Sequence, residues 1–182
     1  MNKNFFGGTF LIALPGLEEG YFKHTITLLI EHSASGAFGM IINKPAETNL
    51  SDFTATNFEL PILELPILLG GPIEQDHLYF LHSTEKSYPQ TLSINRQISL
   101  TTSKTILEDL SKECAPAHVL PLLGYAGWGA GQLEFEISQG AWLISPFDKK
   151  IVFSTPCSEK REAAAKQIGV DVNLIVMDPR KH

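Results

Sequence analysis

Short apolar runs alternate with breaks marked by Pro and Gly, and the spacing inside each run sets the element it predicts. Thr9 to Leu14 reads as a strand ended by Pro15 and Gly16. From His24 to His32 the even positions His24, Ile26, Leu28, Ile30 and His32 form one face, so period 2 predicts a strand with that face buried. Ala37 to Asn43 is apolar on both faces, which predicts a central strand. The short link from Ser33 to Gly36 predicts that the two pair as an antiparallel hairpin.

Further strands are predicted over Ile67 to Leu69, which leads into a Gly70-Gly71-Pro72 turn, and over His77 to His82, where Leu78, Phe80 and His82 share a face. Ile98 to Thr101, His118 to Tyr125, Ala141 to Ser145 and Lys150 to Phe153 complete the set, with Pro121 marking an edge or a bulge. One helix is predicted from Thr102 or Ser103 to about Glu113, with Ile106, Leu107, Leu110 and Cys114 on one stripe. Others are predicted over Gly131 to Ser138 and from a Ser158 cap to Gly169. Asn49 or Ser51 suits the cap of a short helix over Asp52 to Ala55. Strands and helices mix without strict βαβ alternation. The expected fold is therefore α+β, an α/β sandwich: a mixed, mostly antiparallel sheet with helices packed on it, in a single domain over residues 1–182.

Charge narrows the functional classes. Fourteen Lys and Arg against 20 Asp and Glu give a net charge of −6, which opposes a nucleic-acid or anionic-membrane binder. Two cysteines, Cys114 and Cys157, build neither a disulfide framework nor a zinc site and read as reduced thiols. The N-terminal run from Phe5 to Leu14 mimics a signal peptide, but Gly7, Gly8 and Thr9 interrupt it and no small-residue cleavage site follows. No apolar run approaches the ~18 residues of a membrane span. A cytoplasmic protein is expected.

The motifs carry little chemistry. Gly127-Trp128-Gly129-Ala130-Gly131 lies where a dinucleotide fingerprint would, but its third glycine position is Gln132 and the following helix is too short. No phosphate loop and no Gly-x-Ser-x-Gly elbow exist. None of the six histidines pairs at metal-ligand spacing, so neither cofactor nor metal is expected. Pro116 spoils the register between Cys114 and His118. Glu134 and Glu136 fall on different faces of a helix, and Lys160-Arg161 reads as a solvated helix face. His32 and His82 each end an apolar strand face; if those strands are neighbours, the two imidazoles converge at one rim, with Glu134 as a third polar group.

Three stretches resemble the YqgE/AlgH family of bacterial proteins. The first runs from Gly8 through Pro15-Gly16-Leu17, Phe22, Thr25, Glu31-His32, Gly36-Ala37 and Gly39 to Ile42-Asn43-Lys44-Pro45. The second is Gly70-Gly71-Pro72-Ile73 with Leu81-His82. The third is Gly124-Tyr125-Ala126-Gly127-Trp128-Gly129-Ala130-Gly131-Gln132-Leu133-Glu134, with Glu136 and Ala141-Trp142. The departures are Glu19-Gly20 where the family usually has Asp-Pro, and Gly140 where it often has Asn. The resemblance implies an α/β sandwich, a cytoplasmic bacterial protein, and a family labelled as transcriptional regulators without an established biochemical activity. It supplies no catalytic residues.

The residues themselves then point to a site. Tyr125 and Trp128 in a Gly-rich loop are large rings suited to line a groove. With Asn43 and the Gly70-Gly71-Pro72 turn they predict a shallow groove that holds a protein segment or a small ligand, with Trp128 partly exposed at its rim. The expected function is a non-enzymatic interaction or regulatory protein without direct DNA contact. The alternative is an enzyme of unassigned chemistry built on His32 and His82.

Overall fold

A computed structural model describes residues 5–17, 20–53 and 65–175 of the chain. Ten strands among these residues pair into one sheet: β1 (Phe10–Ala13), β2 (Ile26–Ser33), β3 (Gly36–Ile41), β4 (Pro45–Asn49), β5 (Pro66–Leu69), β6 (Ile73–His82), β7 (Thr91–Ser93), β8 (Ser99–Thr101), β9 (Val119–Gly129) and β10 (Trp142–Ser145). The main path runs β10-β1-β2-β3-β9-β6-β8-β7; β5 joins β9 in parallel, β4 joins β5, and the other pairings are antiparallel. Helices α1 (Thr105–Ser111), α2 (Gln132–Ser138), α3 (Lys149–Phe153) and α4 (Cys157–Lys166) cover the sheet. The fold is the α+β sandwich that the pattern predicts.

Strand alternation gives the sheet two apolar faces. Phe10, Ile12, Leu28, Met40, Leu81 and Leu122 pack on one face beneath α3 and α4, which contribute Ile151, Val152, Ala164 and Ala165. On the opposite face, Phe80 and Leu123 pack under Ile106 and Leu107 of α1, while Leu11, Leu29, Trp128 and Trp142 pack under Leu133 of α2. Both faces of β2 are therefore buried from Ile26 to Ile30, not the even face alone. The expected hairpin is present, with Leu28 opposite Met40.

The spine is β9. Its N-terminal part pairs with β6 on one side and β5 on the other, and its C-terminal part pairs with β3. Pro121 lies in this interior strand at a position that is locally an edge. It sits opposite Phe80, and β5 pairs only from Leu122 onward, so no partner on that side asks for the missing N–H.

Several local expectations are corrected. Lys150 to Phe153 is helical: Asp148 caps α3 by accepting the Lys150 amide at 2.8 Å. Helix α4 starts at Cys157 after Pro156, not from a Ser158 cap, because proline presets the entry to a helix. Lys160 and Arg161 are not a solvated face. Burial pushes the Lys160 ammonium below its usual range, and it donates to the Val152 carbonyl at 2.7 Å, while Arg161 donates twice to the Ala13 carbonyl. The interior of α4 packs its own side chains onto β1 and α3, and the backbone carbonyls there draw in the two cations. Leu50 to Asp52 forms a single 3-10 turn, and the continuation expected to Ala55 lies outside the described residues.

Candidate functional site

Tyr125 and Trp128 stand three residues apart on β9, and an odd separation on one strand sends two side chains to opposite faces. Trp128 goes inward. It is 6% exposed, meets Trp142 edge to face at 5.9 Å and Phe22 at 6.1 Å, and so forms no groove rim. Its indole N–H donates to Glu136 Oε2 at 2.9 Å, and the Trp142 N–H donates to the same oxygen at 2.8 Å. Gln132 donates to the other oxygen, Oε1, at 2.9 Å. Gly127 and Gly129, on either side of Trp128, belong to β9 and not to a loop, which is why the ring is held in the core.

Tyr125 goes the other way because β9 changes parity just before it. Leu122 and Tyr125 pack on the same face although three residues separate them. Gly124 between them has φ +70°, and the β6 register shifts between Ile73 and Leu78 at this point. A Cβ on Gly124 would lie 2.6 Å from the carbonyl oxygens of Gly71 and Ile73. The Gly70-Gly71-Pro72 turn supports this bulge from the side: a Cβ on Gly71 would fall 1.9 Å from the Tyr125 carbonyl carbon, and one on Gly70 2.4 Å from the Gly124 oxygen. These glycines permit a backbone approach that positions Tyr125.

The Tyr125 ring borders an open cavity of about 530 Å³. Phe38 meets it edge to face at 6.1 Å and Tyr79 at 6.0 Å, while Leu92 and Leu100 also line the cavity. Glu74 adds a carboxylate: the Tyr79 hydroxyl donates to its Oε2 at 2.5 Å. Burial, together with this carboxylate, raises the Tyr79 phenol above its usual range and keeps it a hydrogen-bond donor. Gln90 and Thr102 supply polar lining, Thr102 donating to Gln90 at 3.2 Å.

Asn43 lies elsewhere. It accepts the Ile26 amide at 3.0 Å and donates to the His24 carbonyl at 2.9 Å, bracing the left-handed turn at His24 beside a separate depression of about 350 Å³. Of the six residues expected to share a groove, only Tyr125 lines the aromatic cavity. Phe38, Tyr79 and Glu74 were missed because they come from β3 and β6. Phe38 and Tyr79 fall within predicted strands, whereas Glu74 lies before the predicted start at His77, and the pairing of both strands with β9 is not legible in the sequence.

The two histidines do not converge. Between β2 and β6 stand β3 and β9, three strand spacings or roughly 14 Å. A bulge between Leu29 and Glu31 also turns His32 away from the Ile26–Ile30 face toward α2. There its Nδ1 accepts the Phe6 amide at 3.1 Å, which places its proton on Nε2, 3.2 Å from Glu134. The approach is too oblique for a well-formed hydrogen bond. Phe5 and Phe6 cover the ring. His82 is fully buried, its Nδ1 2.8 Å from the Ser83 carbonyl and its ring edge-on to Tyr88. Tyr88 in turn donates to Asp109, which also binds Lys86 and the Cys114 thiol. No group of three His, Cys, Asp or Glu residues able to hold a metal is found among the described residues.

The sequence model of the AlgH-like family matches residues 10–173. The chain belongs to the AlgH-like family. It is 40% identical over 176 residues to a UPF0301 protein of Thioalkalivibrio sulfidiphilus, covering 95% of each chain. A UPF0301 protein of Pseudomonas fluorescens is 38% identical over 171 residues, covering 91% of this chain and 90% of its own. The solution structure of the AlgH protein from Pseudomonas aeruginosa superposes with a TM-score of 0.82 at 36% identity, over 96% of this chain and 94% of that one. A Corynebacterium diphtheriae protein shares the fold at 20% identity, with a TM-score of 0.72 over 96% of this chain and 93% of its own. Among the described residues no helix is long and apolar enough to cross a membrane.

Proposed function

We propose that this AlgH-like protein is a non-enzymatic binding protein that holds its partner in the cavity bordered by Tyr125. The observation that carries this reading is the join of Phe38, Tyr79 and Tyr125, from three strands, around one open cavity of about 530 Å³. That volume lies in the range of small-molecule sites, and rings with few polar groups are their usual lining. The effort spent on placing Tyr125 supports it: a left-handed glycine, a bulge and two side-chain-free contacts all serve one half-buried ring. A catalytic reading on His32 and His82 has the separation of the two rings against it. Any effect on gene expression then follows from partner binding in a cytoplasmic bacterial protein, without direct DNA contact.

The test is affinity capture from lysate with wild type and Tyr125→Ala, both proteins and small molecules being read by mass spectrometry. A specific species retained by wild type and lost in the variant, with both proteins folded by circular dichroism, is the expected result. Retention by both would refute the cavity as the binding site.

A further inference from the structure

Charge and ring geometry together narrow what this cavity takes; the step rests on the reading that the cavity is the binding site. Glu74 is the one charged side chain among the described residues that line it. No Lys, Arg or His answers it there, and its hydrogen bond comes from a neutral phenol, Tyr79. Among the described residues that line the cavity, no cation offsets the carboxylate charge. Phe38 and Tyr79 both stand nearly perpendicular to Tyr125, at 79° and 74°, so the rings form a corner and not a stack. All three rings line the cavity, and an aromatic face open to it attracts cations.

From this juxtaposition we propose that the cavity binds a small molecule with an alkylated ammonium head. The head sits against Phe38, Tyr79 and Tyr125 within reach of Glu74, and its apolar stem lies along Leu92 and Leu100. A strongly hydrated bare cation would gain little from the apolar walls, whereas an alkylated ammonium presents methyl or methylene groups to the rings and carries its charge beneath them. An anionic head would meet Glu74 with like charge. A neutral apolar head would gain nothing from the presence of the carboxylate. The net charge of −6 adds long-range attraction for the same class of ligand.

The experiment titrates choline into the full chain at fixed ionic strength and reads ring-current shifts of the methyl protons together with the Tyr and Phe resonances by NMR. The neutral isostere 3,3-dimethylbutanol is titrated in parallel. Choline should bind about tenfold more tightly than the isostere. Glu74→Gln should weaken choline about fivefold and leave the isostere unchanged, Tyr125→Leu should weaken choline about tenfold, and Tyr79→Phe, which keeps the ring, should retain binding. Equal affinity for the isostere, no saturable choline binding, or choline binding indifferent to both Glu74→Gln and Tyr125→Leu overturns the proposal. Equal isostere binding that Tyr125→Leu abolishes would leave the cavity a binding site without cation preference. Lysate capture unaffected by Tyr125→Ala is the separate result that removes the binding reading itself.

Discussion

Trp128 and Trp142, from β9 and β10, meet edge to face and share one acceptor, the Oε2 oxygen of Glu136 on α2. A single carboxylate thereby ties two strands and a helix together and satisfies two indole N–H groups that would otherwise be left unpaired in the core.

Trp128→Ala should accordingly destabilise as a core truncation does, by about 3–5 kcal/mol, and not by the 1–2 kcal/mol of a half-exposed ring. Glu136→Ala should cost about 2 kcal/mol or more, since two buried donors lose their acceptor. Urea unfolding followed by tryptophan fluorescence measures both; a loss below about 1 kcal/mol for Trp128→Ala contradicts the packing described.

Asp109 gives a pH signature. The hydrogen bond from Lys86, then that from Tyr88, holds its carboxyl below the usual carboxylate range. A lowered folded-state value means that its stabilisation is present above the unfolded value near 4 and is lost as pH falls through the folded one. The urea midpoint should drop on acidification below about pH 4, and Asp109→Asn should flatten that part of the profile while lowering stability at neutral pH. An unchanged acid limb in the variant assigns the effect to other carboxylates.

Gly71→Ala should destabilise severely, because its Cβ would meet the Tyr125 backbone at 1.9 Å, where no side chain can yield. Gly140→Ala is the control: its φ is +74° but nothing lies within 4 Å, so the expected cost is only the about 1–2 kcal/mol of a left-handed alanine. Comparable losses at the two positions would disprove the tight approach of the turn to β9.

Amide exchange should be slowest in the middle of the sheet, at Leu28, whose strand is paired on both sides, and at Ile41, whose amide donates to the Gly70 carbonyl at 2.8 Å; both are fully buried. Faster exchange is expected in β7, a terminal three-residue strand. The reverse order, read by NMR, would place the stable unit elsewhere.

Specific duplex DNA binding is not expected of a chain with net charge −6. An electrophoretic shift that survives competitor DNA at physiological salt would contradict this.

Local pattern carried most of the fold and little of the site. The β2–β3 hairpin was readable because Ile, Leu and Met recur there at strand spacing, and α2 because a glycine-bounded apolar run precedes it. β4 was not readable: Pro45 to Asn49 alternates without large apolar residues and gains its place only by pairing with β5. Tyr125 stands out in the sequence as a ring suited to line a groove, but Phe38 and Tyr79 become its neighbours only through strand order, which depends on long-range pairing. Trp128 misled because glycines suggested a loop; in this strand they are tolerated where backbone or a neighbouring side chain approaches closely. His32 misled because a bulge inside an otherwise regular run carries no composition signal.

The parity change at Gly124 makes the molecule sensitive to chain length as well as to chemistry. Upstream of it, even-numbered residues of β9 look toward α3 and α4; downstream, even-numbered residues look toward α2. Inserting or deleting a single residue between Leu123 and Tyr125 would exchange the destinations of Tyr125 and Trp128, sending a tryptophan to the cavity and a tyrosine into the core without altering either side chain. Such a frameshift in space would cost more than any conservative substitution along the strand, and the length of this segment is therefore as much a specification of the site as the rings themselves.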